Sequence, residues 1–598
     1  MAVTYASRKE VPEEFTWDLG DIFPTTDAWL AEYESLKVLS AGLGSYQGTL
    51  GASAQGLLGW LEAQDEISVR LGKLYGYAAC LADEDLGDAL GQDLRGKALG
   101  VLVAIQSACA FAAPEIMAIP DETLEQFYAQ VPALETYRRS LYMIRRQREH
   151  ILSPEGERLL AAAGEMANAP DAIAGVFRDA DLTFPDVADA EGKLHALTNG
   201  TLSLLLESPD VLFRKKVFDT YYARLGQFKN TAAAALDAQF KQLRFFAQAR
   251  RYPSTRAAAL DANEVPESVY DNLIEAVHAN LDKMHRYVSL RKRLLGLSEL
   301  HMSDVYTPIV ADAAAEISFD EAKATVLEAL AVLGEDYTDL LREGFANRWI
   351  DVYENAGKRS GAYSTDVARP HPYVLLNHKD NLDSMFTLAH EMGHALHSYH
   401  SCKYQPVCTS DYVIFVAEVA STCNEVLLMR HLLSKTTDKK ERAYLINHFL
   451  DSFKGTVYRQ TMFAEFELLM GRMAESGQTL TAEALSEKYL ELNKLYFGPD
   501  MVSDPQIALE WARIPHFFYN YYVFQYATGY SAAVAIANRI LEEGAPAVAD
   551  YKKFLSGGSS TDPISLLKIA GVDMSSPAPV NSALQLFGEL LDEMEKLA

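Results

Sequence analysis

Across 598 residues the chain carries 82 acidic against 54 basic side chains, a formal net charge of −28. An excess of that size argues against a nucleic-acid partner, whose phosphates call for basic patches, and is first of all a statement about solubility. Hydrophobic residues make up 49% of the chain, more than one ordinary core needs, so more than one lobe is expected.

From the N-terminus, Met1 to Glu14 is charged and holds no apolar run, so no signal peptide is expected. The cysteines, Cys80, Cys109, Cys402, Cys408 and Cys423, are sparse and odd in number. Cys402 and Cys408 also stand at a poor spacing for zinc or redox chemistry, and free thiols in a reducing cytoplasm follow. Ala98 to Ala113 is uncharged but short for a membrane span and stops at Pro114. It reads as a buried helix, and no membrane partner is expected. Turn residues interrupt the helical pattern around Leu182–Pro185 and Gly192–His195. A boundary near residue 200 then divides an N-terminal helical lobe (1–200) from a second, larger lobe (201–598). Thr231 through Arg250 and Asp320 through Glu343 read as long amphipathic helices.

Composition changes at Trp349. The runs Trp349–Tyr353, Gly361–Thr365 and Pro372–Asn377 are short, aromatic and β-branched, and predict a small antiparallel sheet. A peptide adding to its edge would be bound through its main chain, whatever its sequence. Asp383 to Ala389 then reads as an N-cap and the start of a helix, which leads into His390-Glu391-Met392-Gly393-His394. Residues four apart on a helix lie one above the other. His390 and His394 can therefore share one Zn²⁺, with Glu391 one position round the helix and within reach of a water.

Zinc needs a third protein ligand. In one known arrangement, a glycine three residues after the second His lets a third His, six residues after it, turn back to the metal. Here His397 occupies the glycine position, so the helix runs on and carries His400 out of reach. After Tyr404-Gln405-Pro406, the run Tyr412 to Thr422 predicts a second apolar helix with one carboxylate in it. A carboxylate there is costly unless paired or metal-bound, and Glu418 is the expected third ligand. Glu425 shares its face, and either orients a ligating His through the other ring nitrogen or meets solvent. His397 and His400 read as neighbours of the ligands or as surface residues.

Between Arg513 and Arg539 lie 25 residues without formal charge. Asn520, Gln525, Thr528, Ser531 and Asn538 are interspersed, which favours a buried helix over a membrane span. His516, Tyr519, Tyr521, Tyr522, Tyr526 and Tyr530 in this stretch suit an active-site wall, where neutral donors stabilise a developing negative charge.

The His390–His394 motif followed by Phe415-Val416-Ala417-Glu418-Val419-Ala420-Ser421 resembles the thimet-type oligopeptidases. Phe15-Thr16-Trp17-Asp18-Leu19 resembles their oligoendopeptidase F branch. The likeness covers the whole chain, most specifically residues 350–535. It implies a mainly α, two-lobed metallopeptidase with a deep internal channel, one Zn²⁺ per chain and short peptides as substrates. Glu391 would take a proton from water and return it to the leaving amine. The resemblance also implies that His516 and a nearby tyrosine hold the oxyanion. The tyrosine spacing departs from that of the better-known thimet-type enzymes, so Tyr519, Tyr522 and Tyr526 stay open. Tyr522 and Tyr526 are the catalytic choices, and Tyr519 is a substrate contact. Gly361 and Ala362 resemble the family's substrate-facing strand. Two alternatives stand beside this reading: an exopeptidase gripping a terminal carboxylate with Lys358, Arg359 or Arg369, and a non-catalytic helical scaffold. The oligomeric state is not legible.

Overall fold

The structure, a computed structural model, describes residues 4–310, 316–367 and 371–597. Helices account for 72% of the chain, about twice the share in an average globular protein, and the strands among the described residues are two or three residues long. The mainly α expectation holds. Contacts group the chain into two units. One comprises residues 1–148, 314–432 and 536–572, the other residues 149–313, 433–535 and 573–598. The expected boundary near residue 200 therefore falls inside the second unit. Sequence order misleads here because the N-terminal segment shares a core with residues far downstream.

That shared core explains the N-terminal signature. Trp17, Trp29, Trp60, Leu74, Leu94 and Leu134 form one apolar cluster, and Val367, Tyr373 and Leu375 pack into it. The backbone N–H of Asp18 donates to Arg348 O, that of Val352 donates to Phe15 O, and the Tyr373 hydroxyl donates to Asp18 O, each at 3.0 Å. Phe15 to Leu19 is thus a clasp on the sheet of the first unit. Main-chain bonds fix its register, and the indole of Trp17 fixes its depth.

The sheet has three strands, Ile350–Asp351, Tyr373–Leu375 and Tyr363–Thr365, with Tyr373–Leu375 in the middle. Only Tyr363–Thr365 pairs antiparallel; Ile350–Asp351 pairs parallel to the central strand. The expected antiparallel sheet is therefore mixed. A long excursion, rather than a tight hairpin, joins residues 351 and 373, which permits parallel pairing. The sheet packs on the helix Leu382–Tyr404.

Beneath the first strand lies a buried charge cluster. The Lys358 ammonium sits 2.6 Å from an Asp351 carboxylate oxygen, and both side chains are fully buried. Lys358 also donates to Tyr353 O at 2.8 Å, while Arg8 bridges Asp351 and Glu84. Burial lowers the Lys358 pKa and lifts that of Glu84 to about 7. Such a cluster is tolerable only because each charge has partners.

The helix Ala89–Cys109 corrects a third expectation. Its inner face, Leu94, Ala98, Val101 and Ile105, is buried, but Leu99 and Val103 are 50% and 57% exposed. The stretch is amphipathic in burial without being amphipathic in charge, so lack of charge alone did not report its outer face. Among the described residues, Ala89–Ala118 is the one helical stretch long and apolar enough to cross a membrane by length and composition.

Replacing Lys358 with Met strands buried carboxylates. Unfolding in urea should show a loss of about 3–5 kcal/mol, the range for breaking a buried ion pair. A change below about 1 kcal/mol would mean that the cluster is neutral to stability.

Candidate metal centre

The helix Leu382–Tyr404 starts at Asn381, just ahead of the expected Asp383. The Asn381 side-chain oxygen accepts the backbone N–H of Ser384 at 2.9 Å. The helix runs unbroken past His400, as the missing glycine at 397 implies. A second helix, Ile414–Lys435, carries Glu418 and Glu425. What lets the two helices meet is Gly393. A Cβ at this position would lie 2.6 Å from Ser421 Cα and 2.8 Å from Ala420 O, so any larger residue would push the second helix away. Asn424, fully buried, secures the contact by donating to Ala389 O at 3.1 Å and accepting from the Tyr337 hydroxyl at 3.0 Å.

The contact brings three side chains to one point. Nε2 of His390 and Nε2 of His394 lie 3.3 and 3.4 Å from the same Glu418 oxygen, and the three donor atoms all fall within 4.8 Å of one another. A tetrahedral ion with bonds of about 2.0–2.1 Å has ligand–ligand edges of about 3.3–3.4 Å, so the set fits one small divalent cation. Nδ1 of His390 pairs with Glu425 Oε1 at 2.5 Å. With Nδ1 turned to carboxylate, Nε2 is the nitrogen that faces the other ligand atoms and would offer its lone pair to a metal. Of the two roles open to Glu425, the structure takes the orienting one. Ser421 Oγ donates to the remaining ligand, Glu418 Oε2, at 3.2 Å.

The charges agree with this reading. Burial alone would lower the His390 pKa, but the carboxylates of Glu425 and Glu418 hold it well above the ordinary range. Burial works against ionisation of Glu418, and the two imidazoles overcome it and keep the carboxyl ionised well below the usual range. Two carboxylates facing two imidazoles match a doubly charged cation. Glu391 exposes only 6% of its surface, and burial raises its pKa against the pull of His390 and His394, which suits a proton carrier.

His397 and His400 are neither ligands nor surface residues. Both are buried. His397 stacks on Tyr412 at 3.8 Å, and His400 lies against Tyr399 and Tyr404. Burial lowers their pKa values to about 3 and about 4; they are neutral aromatic packing.

In the second unit His516 sits in the short helix Pro515–Phe518. Its ring centroid lies 5.4 Å from that of Tyr519 and 6.0 Å from that of Tyr526; Tyr522 is 5.3 Å from Tyr526, and every pair is edge-on. The expected quartet is therefore one cluster, while Tyr521 and Tyr530 point into the core. Burial lowers the His516 pKa, and Arg459, itself 2.6 Å from buried Glu510, lowers it further.

Gly361 (φ +86°) and Ala362 form the lead-in to the strand Tyr363–Thr365 rather than the strand itself. They line a cavity of about 360 Å³ together with Asn377, Asn381 and Thr387. Of the cations considered for gripping a terminal carboxylate, Lys358 is buried on Asp351 and Arg359 pairs with Asp83 at 3.1 Å. Arg369 lies outside the described residues.

The profile of peptidase family M3 matches residues 204–586, and that of Oligopeptidase F matches residues 115–184. The chain belongs to peptidase family M3. Oligopeptidase PepF of Bacillus subtilis (strain 168) is 48% identical over 590 residues, 99% of this chain and 88% of that protein. The oligoendopeptidase F homolog of Lactococcus lactis subsp. lactis (strain IL1403) is 40% identical over 99% of this chain and 98% of that protein. The crystal structure of oligoendopeptidase-F from Enterococcus faecium aligns with a TM-score of 0.75 at 38% identity, covering 95% of this chain and 98% of that chain. Membership makes this chain a metallopeptidase, and the His390–His394–Glu418 cluster is where the family's metal would be held.

Gly393, Ser421, Asn424 and Tyr337 were not singled out in the sequence. Asn424 alone left a trace, as an amide inside an apolar helix. Gly393→Ala should lower metal affinity about 10-fold or more, since overpacking costs about 1–3 kcal/mol, as read by competition with a chromogenic chelator. Glu425→Gln should lower it about 10–100-fold, the usual effect of losing a partner that orients a ligand. Unchanged affinity in both variants would mean that the helix contact does not shape the site.

Proposed function

We infer that the protein is an oligoendopeptidase that uses zinc to hydrolyse internal bonds of short, unfolded peptides. The observation that carries this reading is the convergence of two imidazoles and one carboxylate with Glu391 one helical position from His390. Two His and one Glu form a set that zinc takes in hydrolases while one position stays open. Zinc held there would supply Lewis-acid polarisation of the scissile carbonyl and acidification of water.

The remaining work falls to the protein's own groups. Glu391, kept from bulk water, takes the proton of the attacking water and delivers it to the departing amine. Burial and the nearby Arg459 hold the His516 pKa below the ordinary imidazole value, which favours the neutral ring as donor of one N–H to the oxygen that gains charge. A phenol from Tyr522 or Tyr526 adds a second donor, and Tyr519, half exposed, contacts the peptide. The segment Gly361–Ala362 and the strand after it offer main-chain groups to an extended peptide. Recognition through the backbone ignores side chains, so broad sequence specificity would follow. Engagement of Lys358 and Arg359 in ion pairs disfavours the exopeptidase alternative. All five cysteines are free thiols, which supports a cytoplasmic, reducing setting.

The test uses an internally quenched peptide blocked at both ends. The wild-type protein should cleave it, and Glu391→Gln should keep stoichiometric metal while losing about 10²–10⁴-fold in kcat, the span for general acid–base catalysis. Cleavage only of peptides with a free carboxyl end would replace this reading with exopeptidase action.

A further inference from the structure

The chain leaves the helix of His516 through a turn whose backbone its residues do not favour. Asn520 and Tyr521 are consecutive and both left-handed, with φ of 59° and 58°. Asparagine tolerates that region, whereas for a bulky residue such as tyrosine it is a genuine outlier that persists only when the surroundings impose it. The next residue is Tyr522, so the turn sets the direction in which that side chain leaves the backbone.

Three helices of the second unit impose the conformation. From Arg459–Glu475, Glu467 accepts the backbone N–H of Tyr521 at 2.8 Å. From Lys229–Ala249, Gln239 donates to Phe518 O at 3.1 Å and to the Asn520 side-chain oxygen at 2.8 Å. From Thr255–Asp261, Thr255 Oγ1 lies 2.8 Å from the Tyr521 hydroxyl. The Tyr521 ring is 2% exposed and sits edge-on to Tyr270 and Phe240. Room for its hydroxyl exists because residue 471 is glycine; a Cβ there would lie 1.9 Å from that oxygen.

Glu467 is an unexpected residue for this position. It is fully buried, its second oxygen has no partner, and burial lifts its pKa to about 8. An uncharged carboxyl group in an apolar interior is costly, and its single hydrogen bond goes to the backbone of the turn. A leucine of similar size would serve packing alone.

We propose that Glu467, assisted by Gln239, is a positioning residue: it holds the Asn520–Tyr521 turn left-handed and thereby aims Tyr522, and the His516 helix before it, for transition-state binding. This rests on the reading that His516 and a neighbouring phenol stabilise the oxyanion.

Glu467→Leu and Glu467→Gln separate positioning from packing. The glutamine keeps a neutral acceptor for the Tyr521 N–H and should retain kcat within about threefold. The leucine should lose about 10–100-fold in kcat with KM changed less than about threefold, the scale expected when reacting groups are misplaced by about an ångström. Hydrogen exchange of the metal-free protein should accelerate over residues 517–523 in the leucine variant and not in the glutamine variant. If the leucine variant does not fold, Gln239→Met takes its place, with about 3–10-fold lower kcat and the same local exchange signature expected for loss of one of two anchors. Wild-type kcat in the folded leucine variant, or equal losses in leucine and glutamine variants, overturns the proposal. His516→Ala is the control for the underlying reading: if it keeps full kcat, the oxyanion assignment falls, whereas loss in His516→Ala with none in Glu467→Leu removes only the positioning role.

Discussion

The metal centre depends on how closely two helices can approach. His390 and His394 come as a pair because they share a helix face, but Glu418 belongs to a different helix and must be delivered. Backbone contact at Gly393 makes that delivery possible. A side chain there would press on the backbone of Ala420 and Ser421 and shift the helix that carries Glu418. The rest of the local design serves the same contact: Asn424 bolts the helices together through Ala389 and Tyr337, and Glu425 reaches back across the gap to hold His390.

The first unit supports this helix pair from beneath. Its sheet packs on the motif helix, and the sheet is fastened by residues that are remote in sequence: Phe15 to Leu19 through the main chain, Arg8 and Glu84 through the buried charges around Asp351 and Lys358. A sheet of two- and three-residue strands has few hydrogen bonds of its own. It relies on these fasteners for register, so residues about 370 positions before the motif help to hold the sheet on which the motif helix packs.

Electrostatics takes opposite forms in the two units. Around the metal centre, carboxylates and imidazoles stabilise one another's charged forms, so the site is organised for a cation. Around His516, burial and Arg459 suppress protonation, and Glu467 nearby is kept neutral.

The sequence alone determined which residues could hold a metal, because ligand spacing on a helix is a local property: His390 and His394 follow from the 3.6-residue repeat, and Glu418 from the cost of an acid in an apolar helix. Helical content and the run of short strands before the motif were legible for the same reason. Tertiary structure decided everything that rests on partners distant in the chain. It set the division into units, because residues 1–148 share a core with 314–432. It set the parallel pairing of Ile350–Asp351, the exposure of Leu99 and Val103, and the burial of His397 and His400 against tyrosine rings. It also chose the orienting role for Glu425 and the anchoring of Tyr521 by Glu467. Such contacts depend on which surfaces meet in space, and no periodicity along the chain records that.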